Sequence, residues 1–237
     1  MNGRIAVLSQ NKRFKSLRCG RGWPFKSRIQ DKLWILLALT CIGCSGKLDY
    51  VRPTTASKLN NSITISAPRD AVWNATVPKL GKQFFVINNL DKSSGLINLS
   101  YSGDPENYVD CGRIISYVSN ARGERTYDFP ASKADQQYEV MSGNLFLFHR
   151  KMSLDGRINL IFEELSPSET RVTANTKYVL SRIITVNGVS GGIPQTNTDS
   201  ISFISGGNAA FAAMSDGRAT ECIATGKLES EILQAIQ

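Results

Sequence analysis

The 237-residue sequence predicts an α+β domain in two layers, an antiparallel sheet packed by an N-terminal and a C-terminal helix. Three observations predict it. Short segments between Ser62 and Ile204 alternate apolar and polar residues at period two, as half-buried strands do. Val72, Trp73, Thr76, Val77 and Leu80 form an apolar stripe at helical spacing near the start of this region. Leu228, Ile232, Leu233 and Ile236 form a second stripe at its end.

Taken in order, Ser62-Ile63-Thr64-Ile65-Ser66 reads as the opening strand. Ala67-Pro68-Arg69-Asp70 starts the first helix, because proline suits a first turn and Asp70 suits the positive helix end. Pro78 predicts a kink or an early stop, and Gly81 ends the helix. Phe84–Asn88 reads as a strand, Asp91–Gly95 as a turn and Leu96–Tyr101 as the next strand. Further strands are expected at Tyr108–Cys111, Ile114–Val118, Leu145–Lys151, Arg157–Glu164, Arg171–Val179 and Ser200–Ile204. Ser153-Leu154-Asp155-Gly156 predicts a hairpin turn with glycine at the position of positive φ. Residues 119–136 and 186–199 read as long polar or glycine-containing loops.

The charge is concentrated in a leader. The chain carries 28 basic and 20 acidic side chains, and residues 1–32 hold nine of the former and one of the latter. Subtracting these leaves nineteen of each from Leu33 onward, so the basic balance gives no nucleic-acid footprint on the folded part. After Lys32 comes an uncharged run from Leu33 to Gly43, about half the length that crosses a bilayer. A basic region, a short apolar region and small residues after it are the parts of a secretory signal. A buried core helix would leave the basic flank unexplained.

At the end of this run, Ile42-Gly43-Cys44-Ser45 resembles the lipobox of bacterial prolipoproteins. Cys41 stands where Leu, Val or Ile is usual in that pattern. The basic region is long for such a signal, whether the leader is extended or translation starts after Met1. The resemblance implies a diacylglyceryl group and a further acyl chain on Cys44, with cleavage before it. More than one acyl chain anchors firmly where a single chain holds marginally. Ser45, rather than an aspartate, implies the periplasmic face of the outer membrane. The expected organisation is a signal peptide over 1–43, a lipidated tether over 44–61 and a single α+β periplasmic domain over 62–237.

Ile63–Tyr101, with Pro68-Arg69-Asp70, Trp73, the Phe85 strand and the turn through Asp91 and Gly95, resembles the opening unit of helix-grip envelope lipoproteins. Accessory lipoproteins of outer-membrane β-barrel assembly belong to that group. The resemblance implies a helix-grip-like fold and carries no function with it.

Of five cysteines, Cys19 and Cys41 leave with the leader and Cys44 takes the lipid. Cys111 and Cys222 remain in an oxidising compartment, and the even remainder predicts a disulfide between them, the alternative being two buried thiols. His149, the single histidine, follows Leu145-Phe146-Leu147-Phe148 and lacks a nucleophile motif such as G-x-S-x-G. Asp104, Glu106 and Asp110 are too few oxygens for calcium, and Gly-Asp-Pro is an ordinary turn signal. Adjacent Glu163 and Glu164 point to opposite faces of a strand, so they make a poor acid/base pair. Gly188-Val189-Ser190-Gly191-Gly192 lacks the lysine of a phosphate loop. Trp73 reads as core. No catalytic residue, metal or cofactor is expected. The function expected is a membrane-anchored, non-enzymatic module binding an envelope protein. The alternative is a carrier of a lipid or small amphiphile between sheet and helix, with Phe146, Phe148 and Phe203 as lining.

Overall fold

Two stretches, Asn144–Ser166 and Glu169–Gly188, bury every second side chain along most of their length and run as unbroken strands. They form one long antiparallel hairpin, and the rest of the chain is arranged on it. The computed structural model describes residues 44–54, 60–83, 85–213 and 219–237, and the expected signal peptide over 1–43 lies outside them.

The described strands are β1 (Ser45–Val51), β2 (Ser62–Ile65), β3 (Val86–Asp91), β4 (Leu96–Gly103), β5 (Val109–Asp110), β6 (Arg113–Asn120) and β7 (Gly123–Pro130). They continue with β8 (Asp135–Ser142), β9 (Asn144–Ser166), β10 (Glu169–Gly188), β11 (Gln195–Ile204), β12 (Asn208–Phe211) and β13 (Thr220–Ala224). The helices are α1 (Arg69–Leu80) and α2 (Lys227–Ile236).

The β9–β10 hairpin changes neighbours half-way along. Near its turn β9 pairs β4, which pairs β3, while β10 pairs β2. Towards its open end β9 pairs β8 and β10 pairs β11. Two further sheets lie against the hairpin's sheet: β1 and β6 of β1-β6-β7 contact β8, and in β12-β13-β5 Phe211 and Thr220 meet Arg182 of β10. Phe129 meets Tyr138 there at 5.0 Å, and Ser116 Oγ donates to the Glu139 carbonyl at 2.5 Å.

The helices sit nearer the turn of the hairpin. Trp73 of α1 meets Phe162 of β9 edge-on at 5.1 Å, and Lys79 Nζ donates to the last-turn carbonyl of Ile236 in α2 at 2.9 Å. Leu228, Ile232, Leu233 and Ile236 are all buried, so the stripe read from sequence is the buried face of α2. Inside the same layer Glu229 is fully buried, accepting from the Tyr178 hydroxyl at 2.7 Å and the Ser205 hydroxyl at 2.6 Å. Burial first, and then the Glu229 charge, pushes the Tyr178 phenol well above its ordinary range, so it stays a donor.

The expected α+β, helix-grip-like class is corrected. Strand makes up 61% and helix 12% of the structure, in two short helices, so the fold is mainly β. The antiparallel sheet packed by an N-terminal and a C-terminal helix gives way to three sheets on a central hairpin. Gly156 explains the largest error. It does not end a strand: it pairs Tyr178 on one side and Tyr101 on the other, in the middle of β9. A Cβ there would come within 3.2 Å of Leu228 Cδ2, so the missing side chain lets α2 approach the sheet rather than letting the chain turn. The expected loop over 119–136 contains β7 and the start of β8, and the one over 186–199 shrinks to residues 189–194. The expected tether over 44–61 also differs. Ser45–Val51 is a strand in register with β6, from Ser45 opposite Ser119 to Val51 opposite Arg113.

Candidate functional site

The outward face of the hairpin, opposite the helices, carries a row of amides. The register puts Asn89 opposite Asn98, Asn98 opposite Asn159 and Asn159 opposite Asn175, across β3, β4, β9 and β10. Asn61, one residue before β2, extends the row by donating from Nδ2 to Asn175 Oδ1 at 3.0 Å. Asn98 Nδ2 donates to Asn159 Oδ1 at 2.5 Å. Five asparagines thus lie across the strands at the strand spacing, about 4.8 Å apart.

The next row along the strands is charged. Arg157 and Lys177 are direct cross-strand neighbours, both exposed, and neither has a carboxylate within ion-pair distance among the described residues. Like charges directly opposite on a sheet cost stability, so this pair works against the fold. Asp155 lies one row further on, opposite Val179. These side chains, with Ser100 and Ser102, line a shallow cavity of ≈ 980 Å³.

A second cavity, of ≈ 840 Å³, lies at the open end of the hairpin on its inward face. Its apolar wall includes Leu48 of β1, Tyr138 and Val140 of β8, Phe146 and Phe148 of β9 and Ile184 of β10. Phe146 and Phe148 therefore line a cavity as expected of a carrier, but it faces β1 and not a helix. Phe203 is elsewhere, stacked on Tyr178 at 5.3 Å.

Between the two halves are two buried arginines. Arg182 of β10 is 2% exposed and forks onto Asp199 of β11, with Nε at 2.9 Å from Oδ1 and Nη2 at 2.5 Å from Oδ2. Its guanidinium also lies 4.4 Å over the Phe211 ring. Arg150 of β9 is equally buried and donates from Nη2 to the Ala131 carbonyl at 2.6 Å, while its Nε meets no acceptor. Burial, and then the charge of Arg182, pushes the Arg150 guanidinium down to about 10.

The residues singled out from sequence are placed as follows. Cys111 and Cys222 form a disulfide joining the segment after β5 to β13. Cys44 is exposed and unbridged, one residue before β1. His149 lies within β9, its Nε2 2.8 Å from Asp135 Oδ1 across the β8–β9 pair. Asp104 and Asp110 turn onto their own backbone, accepting from Glu106 N–H and Gly112 N–H at 2.8 and 2.7 Å. Glu163 pairs with Arg171 at 2.6 Å on the exposed face of the hairpin. Among the described residues no three His, Cys, Asp or Glu side chains gather closely enough to hold a metal ion. Gly191 and Gly192 turn the chain between β10 and β11 at φ of 101° and 124°. Sequence reasoning missed the amide row, the cation pair and the buried arginines. Each is scattered along the chain and assembled only by register.

No known protein family, curated protein or solved structure matches the chain. The chemistry available at the two cavities is therefore the guide to function. One offers amides, hydroxyls and two cations, the other an apolar wall.

Proposed function

We propose that the chain is an envelope lipoprotein, anchored through lipid on Cys44 at the periplasmic face of the outer membrane. Its domain acts there without chemistry of its own, as a binding module for another envelope protein. The observation that supports the anchor is the division of labour among the cysteines: two close a disulfide, as an oxidising compartment allows, and Cys44 remains exposed at the start of β1. No helix among the described residues is long and apolar enough to cross a membrane. A partner finds an open edge on β11, which pairs only β10 among the described strands, and beside it Ile193 at 90% exposure.

Metabolic labelling with a fatty-acid probe tests the anchor. The wild-type chain is expected to take label and Cys44→Ser to lose it, leaving the protein soluble or unprocessed. Undiminished label in the mutant removes the proposal.

The ≈ 840 Å³ apolar cavity favours a second reading, a carrier of a lipid or small amphiphile. Met141, in its lining, lies against Gly46, so the lining reaches a residue two positions from Cys44. Solvent extraction of the same natively purified chain decides between the readings: a carrier yields non-covalent lipid in stoichiometric amount, a protein-binding module none.

A further inference from the structure

We propose that the outward face of the β4-β9-β10 sheet binds an acidic polysaccharide. This inference does not rest on the lipid anchor.

Four side chains form a square on β9 and β10. Asn159 lies opposite Asn175, and Arg157 lies opposite Lys177 in the next row. Within the amide row Asn159 and Asn175 each accept one hydrogen bond through Oδ1, and their Nδ2 groups meet no acceptor among the described residues. The square therefore presents donors from all four corners: two amide N–H groups, a guanidinium and an ammonium. The matching ligand group is a carboxylate. Such a group also relieves the like-charge contact between Arg157 and Lys177, which the fold alone leaves uncompensated.

The surroundings specify what carries that carboxylate. Along the row, which spans roughly 19 Å at one strand spacing per step, the amides of Asn98 and Asn89 offer donors and acceptors and Asn61 offers its Oδ1, both of its N–H groups being donated to Ala174 and Asn175. Vicinal hydroxyls of a pyranose chain take such pairs, and Ser100 and Ser102 add hydroxyls beside them. The charge lining this cavity is modest, two cations against Asp155, so it fits a chain whose carboxylates stand one sugar apart better than a polyanion charged at every residue of a peptide backbone. Single-stranded nucleic acid would also draw on free rings for base stacking, and a duplex on a wider basic surface. Tyr101, the aromatic residue at the margin, is engaged edge-on with Tyr108 at 5.0 Å.

The test uses the full chain in detergent on immobilised alginate, dextran and poly-glutamate. Because any uncleaved leader attracts polyanions too, differences between variants are the readout. Wild type is expected to bind alginate more tightly than dextran or poly-glutamate. Lys177→Glu replaces a repulsive cross-strand pair with an attractive one, so its melting temperature should hold or rise while alginate affinity falls at least about tenfold. Asn159→Ala with Asn175→Ala should weaken alginate binding to a similar extent without loss of folding, since both positions are exposed. Three results overturn the proposal: unchanged alginate binding in Lys177→Glu, unchanged binding in the double asparagine variant, or equal binding of poly-glutamate. The first would assign retention to the leader and the last to anions in general.

Discussion

Asp199→Asn should lower the free energy of unfolding by about 3 kcal/mol, near the bottom of the range for removing one partner of a buried ion pair. Asp199 faces two cations. It takes both arms of Arg182, and its charge also reaches Arg150, so one carboxylate offsets two buried guanidinium groups. The neutral amide keeps the shape and loses the compensation, leaving Arg182 2% exposed with a charge and no counterion. Asp199 itself keeps 27% of its side-chain surface open, and water there sets the expected loss at the lower end. Urea unfolding measures it as a fall in midpoint at unchanged slope. Adding Arg150→Met to Asp199→Asn should recover part of the loss, because one of the uncompensated charges disappears. A loss below about 1 kcal/mol would show that solvent screens this pair as it does surface pairs.

Loss of the disulfide is the other large effect. Cys111→Ala and Cys222→Ala should each cost about 2–5 kcal/mol, and the double variant little more than either. The cysteines are 111 residues apart, and the chain-entropy model puts a loop of that size at about 4.7 kcal/mol. Other contacts hold the same ends together and reduce the figure. β5 already pairs β13, and the Tyr50 hydroxyl lies 3.1 Å from both the Cys111 and Glu221 carbonyls while accepting the Glu221 N–H at 2.9 Å. Denaturant unfolding of the three variants reads the cost. Additive losses, or labelling of both thiols in native wild type, would refute the crosslink.

Where the sequence was legible, the signal was local. The stripe of α2, the alternation of β2 and the Asp91–Gly95 turn all lie within a few residues of the contacts they describe. At Gly95 φ is +67°, and an added Cβ would stand 2.6 Å from the Phe162 carbonyl oxygen, so glycine is required there for both reasons. Setting aside the cysteines of the expected leader and lipid site leaves an even pair, and Cys111 and Cys222 are indeed joined.

Where it was illegible, the same residue type serves two purposes. Glycine at 95 turns the chain and glycine at 156 admits a helix, and spacing alone does not separate them. β7 and the start of β8 fall in the expected 119–136 loop because Gly123, Pro130 and polar residues interrupt the alternation, although Phe129 is buried, and the rest of β8, where Tyr138 and Val140 are buried, carries no assignment. The fold class failed with them, since missing strands leave the two helices over-weighted. The candidate site is harder still. Asparagine ordinarily signals a turn, and these five sit at 61, 89, 98, 159 and 175, where only the pairing of four strands brings them into line.

The long hairpin also dictates an order of events as the chain folds. β9 and β10 are joined by a short turn and can pair as soon as both exist, a local step. Among the opening strands β3 and β4 pair locally across the Asp91–Gly95 turn, but β1 and β2 have no such neighbour. β1 waits for β6, β2 waits for β10 and β4 waits for β9, each far downstream in sequence. Loop-closure entropy is paid before these contacts return anything, which places folding on the order of milliseconds to seconds rather than microseconds. A chain that emerges N-terminus first thus carries β1 unpaired until Arg113–Asn120 arrives and β2 unpaired until Glu169–Gly188 does, although both precede every other described strand.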